Sequence, residues 1–249
     1  MPRITPFRLA AACTLALSIT LALALAAGAS AAGFKAELRV VGAGGKVLAE
    51  KPIATATTQV KTSPKETCFG AGSGGSGKPV SIKGNTAMGL LARASKTVAA
   101  LSPLLISDHF DFGLALCGIG SSVAKGKASW YLKINHKSLS VGGDAAIIRP
   151  GDEVLWDLAP SFPYPDELVL EGPDKAKAGV PFAVRVFSYD EKGKSKPAKG
   201  VKVTGASEAT DADGRTTVTL TRPAKLIARA TGEIPSAREP VCIGTKCPK

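Results

Sequence analysis

Histidine is nearly missing from the chain: 249 residues contain two, His109 and His136. Aromatic residues are scarce as well, with two Trp, three Tyr and eight Phe. A core must therefore be assembled from Val, Leu, Ile and Ala. So few histidines, with five cysteines, leave little from which to build a transition-metal site. No two basic residues stand side by side, and aromatics do not interleave with them. That pattern speaks against specific nucleic-acid recognition. No paired nucleophile and base can be picked out, so the expectation is a protein without cofactor or enzymatic activity.

What is present is a globular composition, 45% hydrophobic and 21% charged. Twenty-seven Gly and 17 Pro supply many turns and favour a β-rich fold. The first residues read as an address. Arg3 and Arg8 precede an uncharged Leu/Ala run over 9–25, and small residues follow from 26 to 33. Ala29-Ser30-Ala31 fits the small-x-small rule, so a signal peptide of residues 1–31 is expected, with secretion of the product to the extracellular space or cell surface. An uncleaved membrane anchor is the alternative. Cys13 precedes most of the apolar run, which excludes it as a lipid-modification site. Cleavage removes two basic residues and no acid and lowers the net charge from +12 to +10. It leaves Cys68, Cys117, Cys242 and Cys247. Three connectivities can join them, and proximity favours Cys242–Cys247 with Cys68–Cys117.

Residues 34–160 read as a β-rich domain with one helix. Strands are expected at 36–41, 46–49, 55–62, 80–82, 104–106, 114–116, 129–134, 145–148 and 154–158. Ala87, Leu90, Leu91, Ala94 and Val98 recur at helical spacing, which predicts a helix over about 86–100 capped by Thr86. Trp130, Leu132 and Ile134 share one face of their strand and Tyr131 takes the other, so Trp130 is assigned to the core. A proline-rich linker, 161–165, follows. Residues 166–240 hold short strands separated by turn signals, the pattern of a small β-sandwich, and 241–249 form a cysteine-containing tail.

The run Trp130-Tyr131-Leu132-Lys133-Ile134-Asn135, then Gly142 and Arg149-Pro150-Gly151-Asp152-Glu153-Val154-Leu155-Trp156, resembles the C-terminal domain of transcobalamin and its secreted bacterial relatives. Thr86-Ala87-Met88-Gly89-Leu90-Leu91 matches the helix element of that family. The resemblance spans 34–160 and implies a ubiquitin-like β-grasp fold. It departs at His136, where the family usually has Gly; a turn there is expected to demand φ > 0, which His tolerates better than β-branched residues do. Residues 166–240 resemble bacterial immunoglobulin-like modules, through Ala178-Gly179-Val180-Pro181-Phe182 and Thr210-Asp211-Ala212-Asp213-Gly214. The fold class expected is thus mainly β (α+β), a β-grasp domain followed by an immunoglobulin-like sandwich.

Several chemical motifs dissolve on inspection. Gly72 to Pro79 nearly spells a phosphate-binding loop, but Pro79 stands where a Ser or Thr must hold magnesium, so a flexible Gly/Ser loop is expected. Gly70, Gly72 and Gly75 match a dinucleotide fingerprint with no strand–turn–helix around it. Asp108-His109-Phe110-Asp111 sets a histidine between acids, with no nucleophile assigned to it, and reads as a polar loop. Asp211-Ala212-Asp213-Gly214 opens like a calcium loop whose closing glutamate is Arg222, and reads as a β-turn. Lys192, Lys194, Lys196, Lys199 and Lys202 form a basic cluster that could meet an anionic surface, against the simpler reading of a solvated hairpin.

The function expected is a secreted or cell-surface, non-enzymatic binding module for an unidentified small molecule or envelope polymer. Its contacts would come from the family-matched Tyr131, Asn135 and Trp156, with the sandwich as a spacer. A structural or adhesion protein of the cell envelope is the alternative. The resemblance also implies cobalamin-type ligand binding, though the large helical domain of transcobalamin has no counterpart in a chain with one helix.

Overall fold

Apolar residues at every second position of the first strand set the sheet that organises the protein. The computed structural model describes residues 33–248; the expected signal peptide lies outside them. β1 (Lys35–Gly42) turns Leu38 and Val40 to one face and Arg39 and Val41 to the other. A 3-10 turn over Ala43–Gly45 leads into β2 (Lys46–Ala54). β3 (Thr58–Lys61) and β4 (Pro79–Ile82) form a small antiparallel ribbon. α1 (Ala87–Ser95) follows, and then β5 (Leu104–Phe110), β6 (Gly113–Ile119) and β7 (Ser122–Val123) make a three-stranded sheet. β8 (Ser129–Ile134), β9 (Lys137–Ser138) and β10 (Glu153–Ala159) return to the first sheet. Its order is β2-β1-β10-β8-β9, with β1 and β10 parallel at its centre and every other pair antiparallel.

The helix starts where Thr86 accepts a hydrogen bond from the Gly89 amide, as expected. It is shorter than the spacing predicts, because the chain passes through Lys96–Val98 into a 3-10 turn at Ala99–Leu101. Almost all of its side chains are buried against the inner sheet face, beside Leu38, Val40, Leu132 and Trp156. Residues 145–148, expected as a strand, form a turn with one bridge, Ile147 to Thr86. The physical reason lies in the helix, whose first amides have no partners of their own. Gly143 and Ala146 offer carbonyls to Met88 and Ala87 at 2.8 and 2.9 Å.

The second lobe comprises β11 (Glu167–Glu171), β12 (Lys175–Ala176), β13 (Phe182–Tyr189), β14 (Ser195–Pro197), β15 (Lys202–Val203), β16 (Arg215–Val218), β17 (Ala224–Leu226), β18 (Ala228–Arg229) and β19 (Glu239–Ile243). β13 pairs with β11, β14 and β16, while β19 lies between β12 and β17. Leu168, Val186, Val218, Leu226 and Val241 meet in one core. β19 crosses the boundary expected at residue 240, so part of the expected tail belongs to this core.

Both expected disulfides are present. Cys68–Cys117 ties the 3-10 turn Thr67–Phe69 to β6, and Cys242–Cys247 closes the end of β19. They fit an oxidising, extracellular type of compartment. Among the described residues no helix is long and apolar enough to cross a membrane.

Candidate functional site

The outer face of the five-stranded sheet carries the polar half of the strand alternation, which sequence patterning assigns to water. Arg39 of β1 and Lys133 of β8 flank Leu155 of β10 in one row, while Val41 and Tyr131 flank Asp157 in the next. The second lobe covers these rows. Lys133 is fully buried, Arg39 is 2% exposed and Asp157 5%. The segment around Ile234 packs on Val41 and Leu155.

Buried charges survive only with partners. Glu167, at the start of β11, supplies them. It pairs with the Arg39 guanidinium and lies 3.7 Å from the Lys133 ammonium. Arg39 also reaches Glu153 at 3.2 Å and donates to the Pro235 carbonyl at 2.7 Å. Lys133 donates to the Tyr189 carbonyl at 3.2 Å. Burial alone would push the Glu167 carboxyl up, but the His136 hydrogen bond and the Arg39, His136 and Lys133 charges together hold it below the usual carboxylate range. Burial lowers the Lys133 ammonium more than the facing acids raise it.

His136 completes this network from a strained backbone. Asn135 and His136 sit at φ 50° and 67°, the two positive angles of a tight hairpin turn between β8 and β9. The expected demand for φ > 0 at His136 is met. Its Nδ1 lies 3.1 Å from Glu167 and its ring 4.5 Å from that of Tyr189. The Glu167 hydrogen bond raises the imidazole pKa against the opposing effect of burial. His136, Glu153 and Glu167 bring potential ligand atoms within 4.8 Å of one another. Arg39 and Lys133 already neutralise these carboxylates, which makes the cluster a poor host for a further cation.

Beside this network the lobes part to leave a cleft of about 1020 Å³. Its walls come from residues 43–45 of the β1–β2 turn, the 123–128 segment, the end of β10, the linker and the 229–235 loop. Asp157 reaches it, and burial and neighbouring charges, with no hydrogen bond, set the state of its carboxyl. Burial pushes the Asp157 pKa up to about 7, although Arg39 and Lys133 oppose this. Glu233 also lines the cleft, has a buried carboxylate oxygen without a partner, and is likewise raised by burial. Lys125, Lys202 and Arg229 bring positive charge to the same lining.

The three expected contact residues are placed elsewhere. Tyr131 is buried, its ring stacked on Tyr164 of the linker at 3.7 Å. Trp156 is buried on the inner face, where Gly143 leaves room for its ring. Asn135 anchors its own turn: its amide donates to Asp152 and its carbonyl accepts from the Glu153 amide. The glycine-rich loop is not loose. Asp108 accepts hydrogen bonds from the Ser76 amide and hydroxyl at 2.6 and 2.7 Å, and Gly75 and Gly77 bond to Ser63 and Thr62. Asp108 therefore orients a loop, and His109 stands exposed beside it. The basic cluster divides: Lys192 and Lys194 lie in the β13–β14 turn, Lys196 pairs with Asp166, and Lys202 reaches the cleft. Asp211 to Gly214 is a hairpin turn closed by the Asp211 carboxylate. Asp157, Glu233 and the 229–235 loop escaped sequence reasoning, since no spacing links segments so far apart. Compared with protein-family models, with curated proteins and with solved structures, the chain has no match.

Proposed function

We propose that the chain is a secreted or cell-surface, non-enzymatic binding module in which a β-grasp lobe and an immunoglobulin-like lobe clasp each other and seat a ligand between them. The first and last strands of the first lobe lie parallel at the centre of a mixed sheet crossed by one helix, an order that supports the β-grasp reading. The charge–apolar–small order of the first 33 residues and the two disulfides support export. The observation that carries the binding role is the interlobe cleft, a junction-lying concavity at the upper end of the ligand-site size range, with an unpartnered carboxyl in it. In this reading the contacts come from Asp157 and the 229–235 loop in place of Tyr131, Asn135 and Trp156.

Thermal-shift screening of the purified protein tests this, with envelope glycans, polyol phosphates and cobalamin in the panel. A compound that raises the melting temperature of the wild type, and not of a cleft-filling Ala128→Trp variant, supports the reading. No shift with any compound, or equal shifts in both proteins, defeats it. Reproducible turnover of a substrate abolished by His109→Ala would defeat the non-enzymatic part.

A further inference from the structure

The cleft is electrically graded. Deep in it stands Asp157, 5% exposed. The cations nearest to that carboxylate, Arg39 and Lys133, are committed to Glu167, Glu153 and backbone carbonyls. Glu233 also contributes to the lining, but its carboxyl faces Ser188, Lys196 and Asp166, which do not line the cleft. Asp157 is thus an acceptor in want of a donor, in apolar surroundings of Leu158, Ile234 and Pro235. The exposed part of the lining has the opposite sign. Lys125 and Lys202 are exposed and make no ion pair among the described residues, and Arg229 spends one nitrogen on the Gly45 carbonyl.

We propose that the cleft takes a zwitterionic ligand, a small amphoteric molecule or polymer unit whose ammonium group meets Asp157 and whose phosphate or carboxylate meets Lys125 and Lys202. This rests on the cleft being the binding site. An ammonium restores the compensation that Asp157 lacks, which a neutral hydroxyl does only in part, because hydrogen bonds between charged groups are the stronger ones. An anion alone finds cations at the mouth but leaves Asp157 bare and repels it. A cation alone meets Asp157 but has to pass the lysines. A ligand with both charges in this order satisfies both ends, and the volume admits one of considerable size or a stretch of a repeating polymer.

Calorimetric titration of the purified protein with four probes separates these cases: phosphoethanolamine, ethanolamine, inorganic phosphate and glycerol phosphate. Phosphoethanolamine is expected to bind about ten-fold more tightly than any of the other three. Asp157→Asn, which keeps the shape and one acceptor oxygen but removes the charge, is expected to erase its advantage over the two phosphates. The exposed pair Lys125→Ala and Lys202→Ala is expected to erase its advantage over ethanolamine. Equal binding of the four probes, or a preference that survives Asp157→Asn, overturns the proposal. If no probe binds while another compound still gives an Ala128→Trp-sensitive thermal shift, the zwitterion is wrong and the cleft reading stands. If neither assay registers binding, both fall.

Discussion

On the inner face of the five-stranded sheet, Leu38, Val40, Leu132 and Trp156 lie against α1 and lose water at little electrostatic cost. On the outer face, Arg39 and Lys133 lose as much water with their charges paired, and Asp157 does so with its carboxyl pushed toward the protonated form. The first face is stabilised by any well-packed apolar cover. The second holds only if the covering lobe delivers Glu167 and the Pro235 and Tyr189 carbonyls to the right atoms. The apolar face thus sets that the sheet is buried, and the charged face sets which lobe buries it and in what register.

The sharpest way to break that comparison is Glu167→Ala. It leaves buried Lys133 without its carboxylate and Arg39 with the part-exposed Glu153 alone, and is expected to cost about 3–5 kcal/mol. Leu38→Ala on the inner face is expected to cost about 2–5 kcal/mol by cavity formation. Urea unfolding measures both. Only the first is expected to loosen the lobe junction, seen as faster proteolysis in residues 160–165 of the still-folded protein. Equal proteolysis in the two variants would mean that the charges specify nothing.

Titration comes next. Asp157 has a folded pKa of about 7, above its unfolded value, so the folded state holds a proton that the unfolded state has released. Its contribution is therefore fully present at low pH and is lost as pH rises through about 7. His136, also raised, works in the same direction above its unfolded value. Glu167 is depressed, and its contribution is lost only at acid pH. Between about pH 5 and pH 8 the wild type is expected to lose about 2–3 kcal/mol, most of it through Asp157. Asp157→Asn is expected to flatten that profile and to be the more stable protein at the alkaline end. Denaturant midpoints across the range decide it, and an unchanged slope would remove Asp157 from the account.

Smaller effects probe the seam. Tyr164→Ala removes the ring that covers Tyr131 and is expected to cost about 1 kcal/mol. At His136 two opposed changes are available. Alanine loses the Glu167 bond and keeps the positive φ, with an expected cost of about 1–2 kcal/mol. Glycine loses the same bond but relaxes the backbone, and is expected to stay within about 1 kcal/mol of wild type. Thermal melts of the pair compare the hydrogen bond with the backbone strain.

Local chemistry carried the parts of the fold that were legible in the sequence. Thr86 capping α1, the 182–189 strand, the phase that put Leu132 and Ile134 inward and the two cysteine pairings each depend on near neighbours or simple periodicity. The outer face was misjudged for a definite reason. Alternation states which residues share a face; it does not state whether that face meets water. Lys133 reads as solvated, and a lobe beginning more than thirty residues later buries it. Residues 145–148 have strand-like composition but serve as acceptors for a helix start, a role with no pattern of its own. β19 was hidden by Pro240 and by having one fully buried residue, Val241. The cleft was invisible because no two of its walls are neighbours in sequence.

The distances along the chain within the charged seam bear on the order of assembly. Arg39 meets Glu167 across 128 positions and the Pro235 carbonyl across 196. A chain synthesised from its N-terminus presents Arg39 early and its partners late. Until the final strand has emerged to take its place between β12 and β17, the second lobe lacks an interior strand, and the first lobe waits with a cationic surface uncovered. For that interval Arg39 and Lys133 stand without the Glu167 carboxylate that pairs with both in the folded protein, so the seam closes only once both lobes are complete.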